Sequence, residues 1–154
     1  MTVTITRESP LGADLALLME RHTAAMHHDT PPESIHMMDA GALASPDVAF
    51  YVARDAGRPV AMGAFKRLDA THAEIKSMHV LAENRGQGLS RLLLQHLMAE
   101  AKAAGMARLS LETGAQAAFA AAQTLYERAG FTVCPPFADY IDDPLSVFMT
   151  RSLA

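Results

Sequence analysis

Tryptophan is absent from these 154 residues, and cysteine occurs once, at Cys134. A lone cysteine excludes an intramolecular disulfide and every Cys-rich metal pattern. No run approaches the roughly 18 apolar residues that a membrane helix needs, so no membrane association is expected. Positive charge is not in excess: Lys and Arg total 13 against 17 Asp and Glu, a formal net charge of −4. That balance argues against a general nucleic-acid binder, which needs a basic face, but leaves room for a local basic pocket. Residues 1–7 show no charged stretch followed by an apolar one, so no secretory signal is expected. With the cysteine usage this points to a cytoplasmic protein. No repeat, linker or low-complexity tract divides the chain, so one domain over residues 1–154 is expected, long enough to bury its own core.

What is present is periodic. Residues 2–6 alternate and predict a short strand. Ser9-Pro10 reads as a helix start, and Leu15, Leu18, Met19, His22 and Met26 recur at helical spacing, which predicts a helix over 10–28. Thr30-Pro31-Pro32 ends it, and residues 33–43 allow a short second helix. Two strand-like runs, 48–54 and 60–68, flank a turn signal and predict a hairpin. A strand over 72–80 follows. Leu89, Leu92, Leu93 and Leu97 form an apolar stripe on a helix that ends near Gly105. A strand over 107–112, an Ala-rich helix over 115–129 capped by Gly130, and strands over 131–134 and 145–153 complete the chain. Strands interleaved with helices give an α/β (α+β) fold. Its six- to seven-stranded sheet is mixed and mostly antiparallel, with flanking helices.

The segment Arg85-Gly86-Gln87-Gly88-Leu89-Ser90 joins a strand to a helix. The first N–H groups of a helix lack intrahelical partners and carry the positive end of its dipole. Glycines there let a phosphate approach the backbone, and Arg85 adds a guanidinium suited to phosphate. The plain alternative is a strand-to-helix turn with a surface arginine. A Walker A loop requires a Lys after the second glycine, and a Rossmann fingerprint requires a third glycine where Arg91 stands; neither spacing fits.

These residues resemble the loop of the GNAT superfamily of acyl-CoA-dependent N-acyltransferases, Arg/Gln-x-x-Gly-x-Gly/Ala, departing at Ser90. A second block, Leu125-Tyr126-Glu127-Arg128-Ala129-Gly130-Phe131, is similar to that family's Leu-Tyr-x-x-x-Gly-Phe, with Ala122 also matching and Phe119 standing where an Asn is frequent. The resemblance covers roughly residues 48–131. It implies the GNAT fold and acetyl-CoA as acetyl donor. The implied acceptor is a primary amine of a small molecule or peptide, and a homodimer is compatible with it. A non-catalytic acyl-CoA-binding or regulatory module on the same fold is the alternative.

The resemblance also implies roles. Residues Arg85 to Ser90 (Gly86, Gln87, Gly88 and Leu89 between them) would hold the pyrophosphate, with Met78, His79, Val80 and Ala122 along the pantetheine arm. Tyr126 would donate a proton to the leaving sulfur; by helical spacing it also suits the core. Glu74 would serve as base, directly or through water; otherwise it is a solvent-facing strand residue or an ion-pair partner of Lys76. Glu112 is its rival, and a water chain is a third route. His36, Glu112 and Tyr140 are candidates for the acceptor side. Asp142-Asp143-Pro144 reads as a turn. Seven histidines invite a metal, yet none forms a ligand pair at metal-binding spacing, so no metal is expected.

Overall fold

The structure, a computed structural model, describes residues 2–154. In chain order it contains β1 (Val3–Arg7), α1 (Ala16–Asp29), α2 (Ala40–Leu43), β2 (Val48–Asp55), β3 (Arg58–Arg67), β4 (His72–Val80), α3 (Leu89–Ala103), β5 (Arg108–Gly114), α4 (Ala120–Arg128), β6 (Thr132–Val133) and β7 (Ser146–Ser152). The strands form one seven-stranded sheet in the order β1-β2-β3-β4-β5-β7-β6. Every neighbouring pair is antiparallel except β4 and β5, which run parallel.

Strand alternation sends side chains to two cores. On one face, Val48, Phe50, Val52 and Met62 pack with Leu15, Leu18 and Leu43 from the α1–α2 side. On the other, Ala49, Tyr51 and Ala53 pack with Leu89, Leu93 and Leu97 of α3, and with Tyr126 of α4. Burial on both faces explains why β2 reads as a continuous apolar run rather than an alternating one. The β2–β3 turn is Ala56-Gly57, both with positive φ (50° and 85°), the two-residue geometry that suits strand twist.

Three helix boundaries differ from the sequence expectation. The first helix does not begin at Pro10. The Ser9 hydroxyl accepts the Leu11 N–H at 3.2 Å to make a local turn, Gly12 has ψ 136°, and a 3₁₀ turn (Ala13–Leu15) precedes α1. Arg54 fixes this approach by binding Glu8 and Asp14. The helix expected over 115–129 starts at Ala120 after a 3₁₀ turn, Ala117–Phe119. Its expected first residue, Ala115, instead donates its N–H to Leu145 O at 2.9 Å. Between residues 33 and 43 only α2 is α-helical, started by Asp39, whose carboxylate accepts the Ala42 N–H at 2.7 Å.

No helix among the described residues is long and apolar enough to cross a membrane. No group of three or more metal-ligating side chains occurs among them either.

Candidate active site

A bulge and a splay create the site. β3 and β4 pair Met62 with His79 and Ala64 with Lys76, so Gly63 alone faces two residues, Ser77 and Met78. Ser77 takes up the extra residue with φ 58°, a left-handed backbone rarely adopted outside glycine and Asn. Gly63 makes room for the bulge: a Cβ there would lie 2.6 Å from the Met78 sulfur. On its other edge β4 pairs with β5 only from His72 to Glu74, opposite Arg108 to Ser110. Beyond that the two strands part. The cleft that opens is lined by Lys76, Ser77 and Met78 on one side and by Leu111, Glu112 and Thr113 on the other. Parting leaves backbone N–H groups of β4 without a β5 partner.

The strand-to-helix loop stands at the end of β4. Gly86 and Gly88 have φ 78° and 76°, and a Cβ at either would meet nothing within 4 Å. The positive φ requires glycine, and the space beside each is open. The α3 N-terminus has no side-chain cap, and Leu92 donates the first helical bond, to Gly88 O at 3.1 Å. The Leu89, Ser90 and Arg91 N–H groups therefore point out of the helix unpaired. A cradle without Cβ atoms at a bare helix N-terminus fits a pyrophosphate. Arg85 and Gln87 flank it, both exposed.

Inside the cleft a polar network is buried. Glu74, 4% exposed, accepts from the Tyr140 hydroxyl and from Lys76 Nζ at 3.2 Å. Lys76 Nζ also donates to His36 O at 3.0 Å and to the Tyr140 hydroxyl at 2.9 Å. Glu74 and Lys76 are two apart on β4 and share its cleft-facing side. Glu112 stands across from them on β5; burial pushes its carboxyl above the ordinary value, and the charge of Glu74 adds to the effect. Tyr126 is buried on α4, its ring edge-on to Phe131 at 5.9 Å. Its hydroxyl has no hydrogen-bond partner among the described residues and it lines the cleft. Burial, then the Glu112 charge, hold the phenol well above its usual value, so it stays protonated.

A family model described as "Acetyltransferase (GNAT) family" matches residues 15–131. The chain belongs to this family. The Bacillus subtilis (strain 168) protein "Uncharacterized N-acetyltransferase YsnE" is 44% identical over 142 residues, which cover 92% of this chain and 94% of its own. The crystal structure titled "putative acyl-CoA N-acyltransferase", from Klebsiella pneumoniae subsp. pneumoniae MGH 78578, superposes with a TM-score of 0.82 at 30% identity, covering 99% of both chains. The structure of yncA from Salmonella typhimurium, described with its cofactor acetyl-CoA, has a TM-score of 0.74 over 99% of this chain and 94% of that one. At 23% identity it shows the fold alone.

Within this GNAT chain the cleft gathers Glu74, Met78, Glu112, Ala122, Tyr126, Tyr140 and His36, which lie far apart in sequence. Other expected site residues lie outside its lining. The Val80 and Leu89 side chains are in the core, leaving only their backbone to face a ligand. His79 turns its ring onto His22 of α1, with centroids 5.3 Å apart. Phe119 lines the cleft and packs against Gly114. Three features had no sequence signal. Lys76 reaches Tyr140 across 64 residues. Ser77 adopts a positive φ with no turn residue beside it. Thr30, which ends the first helix, lines the cleft with a buried, unpartnered hydroxyl.

Proposed function

We propose that this GNAT protein is an N-acetyltransferase that moves an acetyl group from acetyl-CoA directly to a primary amine. The observation that carries the reading is the pairing of a parted β4–β5 cleft with a Cβ-free, uncapped helix N-terminus at the end of the same strand. The acetyl-CoA that accompanies the yncA structure supports the choice of donor.

When bound, acetyl-CoA supplies a thioester acyl group. Arg85 and the backbone from Gly86 to Ser90 would hold its pyrophosphate. The unpaired edge of β4 at Met78–Val80 would receive the pantetheine arm, with Ala122 beside it. Protein residues then manage protons and charge. An attacking amine must be neutral, and a free alkylamine has a pKa near about 10.4. Glu74 is the first candidate to take that proton through water, since it is the buried carboxylate on the strand facing the acyl group. Glu112, with its raised carboxyl, is the second. A backbone N–H freed by the Ser77 bulge would stabilise the oxyanion. Tyr126, held protonated, would give its hydroxyl proton to the departing sulfur.

The test is calorimetric titration with acetyl-CoA. Gly88→Ala keeps space for the new methyl but places it where a phosphate would approach. It should cost about 1–2 kcal/mol of stability through the left-handed backbone. It should weaken acetyl-CoA binding by far more than a remote surface change of equal stability cost. Unchanged acetyl-CoA affinity in Gly88→Ala would remove the cradle from the account.

A further inference from the structure

Two segments that border the acceptor side of the cleft are tied together. Ser34, buried, donates its hydroxyl to Asp143 Oδ2 at 2.6 Å. Asp143 Oδ1 in turn accepts the Leu145 N–H at 2.8 Å. One residue pair further in, the His36 ring meets Tyr140 edge-on at 5.1 Å. Lys76 rises from the sheet to bind both, through His36 O and the Tyr140 hydroxyl. The chain around residues 34–36 and the chain around 140–145 are therefore latched to each other and to β4. The cleft beneath them has a volume of about 140 Å³. Pockets for drug-sized ligands run to about 300–1,000 Å³. A polypeptide terminus needs a groove by which the remaining chain can leave, and the latch occupies that side.

The charged recognition groups of the cleft favour a cation. Lys76 lines the cleft, and its three N–H donors are all engaged, by Glu74, His36 O and Tyr140. No arginine lines the cleft among the described residues. A carboxylate on the acceptor would thus enter without a free cation and face Glu74 and Glu112. By contrast, two hydroxyl oxygens of the cleft lining lack a partner for an N–H donor. Thr30, 6% exposed, and Ser77 both line the cleft, and each has a buried hydroxyl with no partner. Glu112 adds a carboxylate whose charge is felt by Tyr126 and Tyr140 on either side. Unpartnered buried oxygens are costly unless a ligand supplies the donor.

We propose that the acceptor is a small primary amine with no carboxylate beside the amino group, drawn in as an ammonium by Glu112, Thr30 and Ser77. Free α-amino acids and polypeptide N-termini are excluded by the saturated Lys76 and by the Ser34–Asp143 latch. This rests on the acetyl-transfer reading above and narrows its acceptor.

The experiment uses the full chain in three steps. Acetyl-CoA binding is measured first by calorimetry; no binding removes the acetyl-transfer reading and this inference with it. Thiol release is then followed with ethanolamine, butylamine and putrescine in one arm, free alanine in a second, and a tripeptide with a free N-terminus in a third. The small amines should exceed both other arms in kcat/KM by at least about tenfold. Acetyl transfer that favours the tripeptide or alanine leaves the parent reading standing and overturns the inference. So does a protein that binds acetyl-CoA but neither acetylates nor binds any of the three amines. Glu112→Gln supplies the last readout. It should raise KM for the preferred amine by at least about tenfold while keeping acetyl-CoA affinity. An unchanged KM removes Glu112 from acceptor recognition.

Discussion

Acid should weaken this fold through His22, well above the range where most carboxylates titrate. His22 is buried on α1 against the His79 ring, and burial holds its imidazole at about 4, against an ordinary 6.5. Below 6.5 the unfolded chain takes up a proton at this site, while the folded chain stays neutral until about 4. The stabilisation is therefore complete above pH 6.5 and is lost as pH falls towards 4. A shift of that size corresponds to roughly 3 kcal/mol over the whole window. Lowering pH from about 7 to about 5 crosses the upper part of the window and removes about 2 kcal/mol. His79, also held at about 4 by burial, is more open and adds less. Glu112 works in the opposite sense: its raised carboxyl gains a proton more readily when folded, so it offsets part of the loss at the acid end. Urea unfolding of wild type and His22→Leu near pH 7 and near pH 5 isolates the contribution. The wild type should lose about 2 kcal/mol more than the variant between the two conditions. Parallel losses would show that His22 is not held neutral, and the argument from burial would fail.

Lys76→Met leaves Glu74 buried with only the Tyr140 hydroxyl. It should destabilise by about 3–5 kcal/mol, and the double variant Lys76→Met with Glu74→Gln should recover much of this in urea unfolding. Gly114→Ala places a Cβ against the Phe119 ring and 2.7 Å from the Gln116 side-chain oxygen. Moving those groups should cost about 1–3 kcal/mol and raise KM for acetyl-CoA, because Phe119 lines the cleft.

The parts of this molecule that were legible in the sequence are those set by local chemistry. The strand over 72–80 is bounded as its pattern predicts, and the glycine loop does lead from it towards α3; the positive φ of Gly86 and Gly88 is a finding of the structure. A mixed, mostly antiparallel sheet of six to seven strands was expected from element order and the family resemblance, and seven are present. What escaped was set by contacts distant in the chain. Ala115 was expected in a helix because alanine favours one, but its N–H is taken by Leu145, which only the folded tail provides. Ser77 carries a positive φ that its residue type does not advertise; the pairing of Gly63 against two residues of β4 imposes it. Glu74 was weighed as a base, as a solvent-facing strand residue or as an ion-pair partner of Lys76, and burial at 4% exposure removes the second. In the fold it is paired, and it also accepts from Tyr140, a residue for which spacing gave no neighbour.

The central claim is transfer from acetyl-CoA to an amine with Tyr126 as proton donor to sulfur. Its most direct test is amine-dependent thiol release by the wild type and by Tyr126→Phe, with the acetylated amine identified by mass. The account predicts release that matches amine acetylation, and a kcat lowered by about 100-fold or more in Tyr126→Phe with acetyl-CoA affinity unchanged. Thiol release that does not depend on any amine, or a Tyr126→Phe enzyme with unaltered kcat and pH profile, would contradict it.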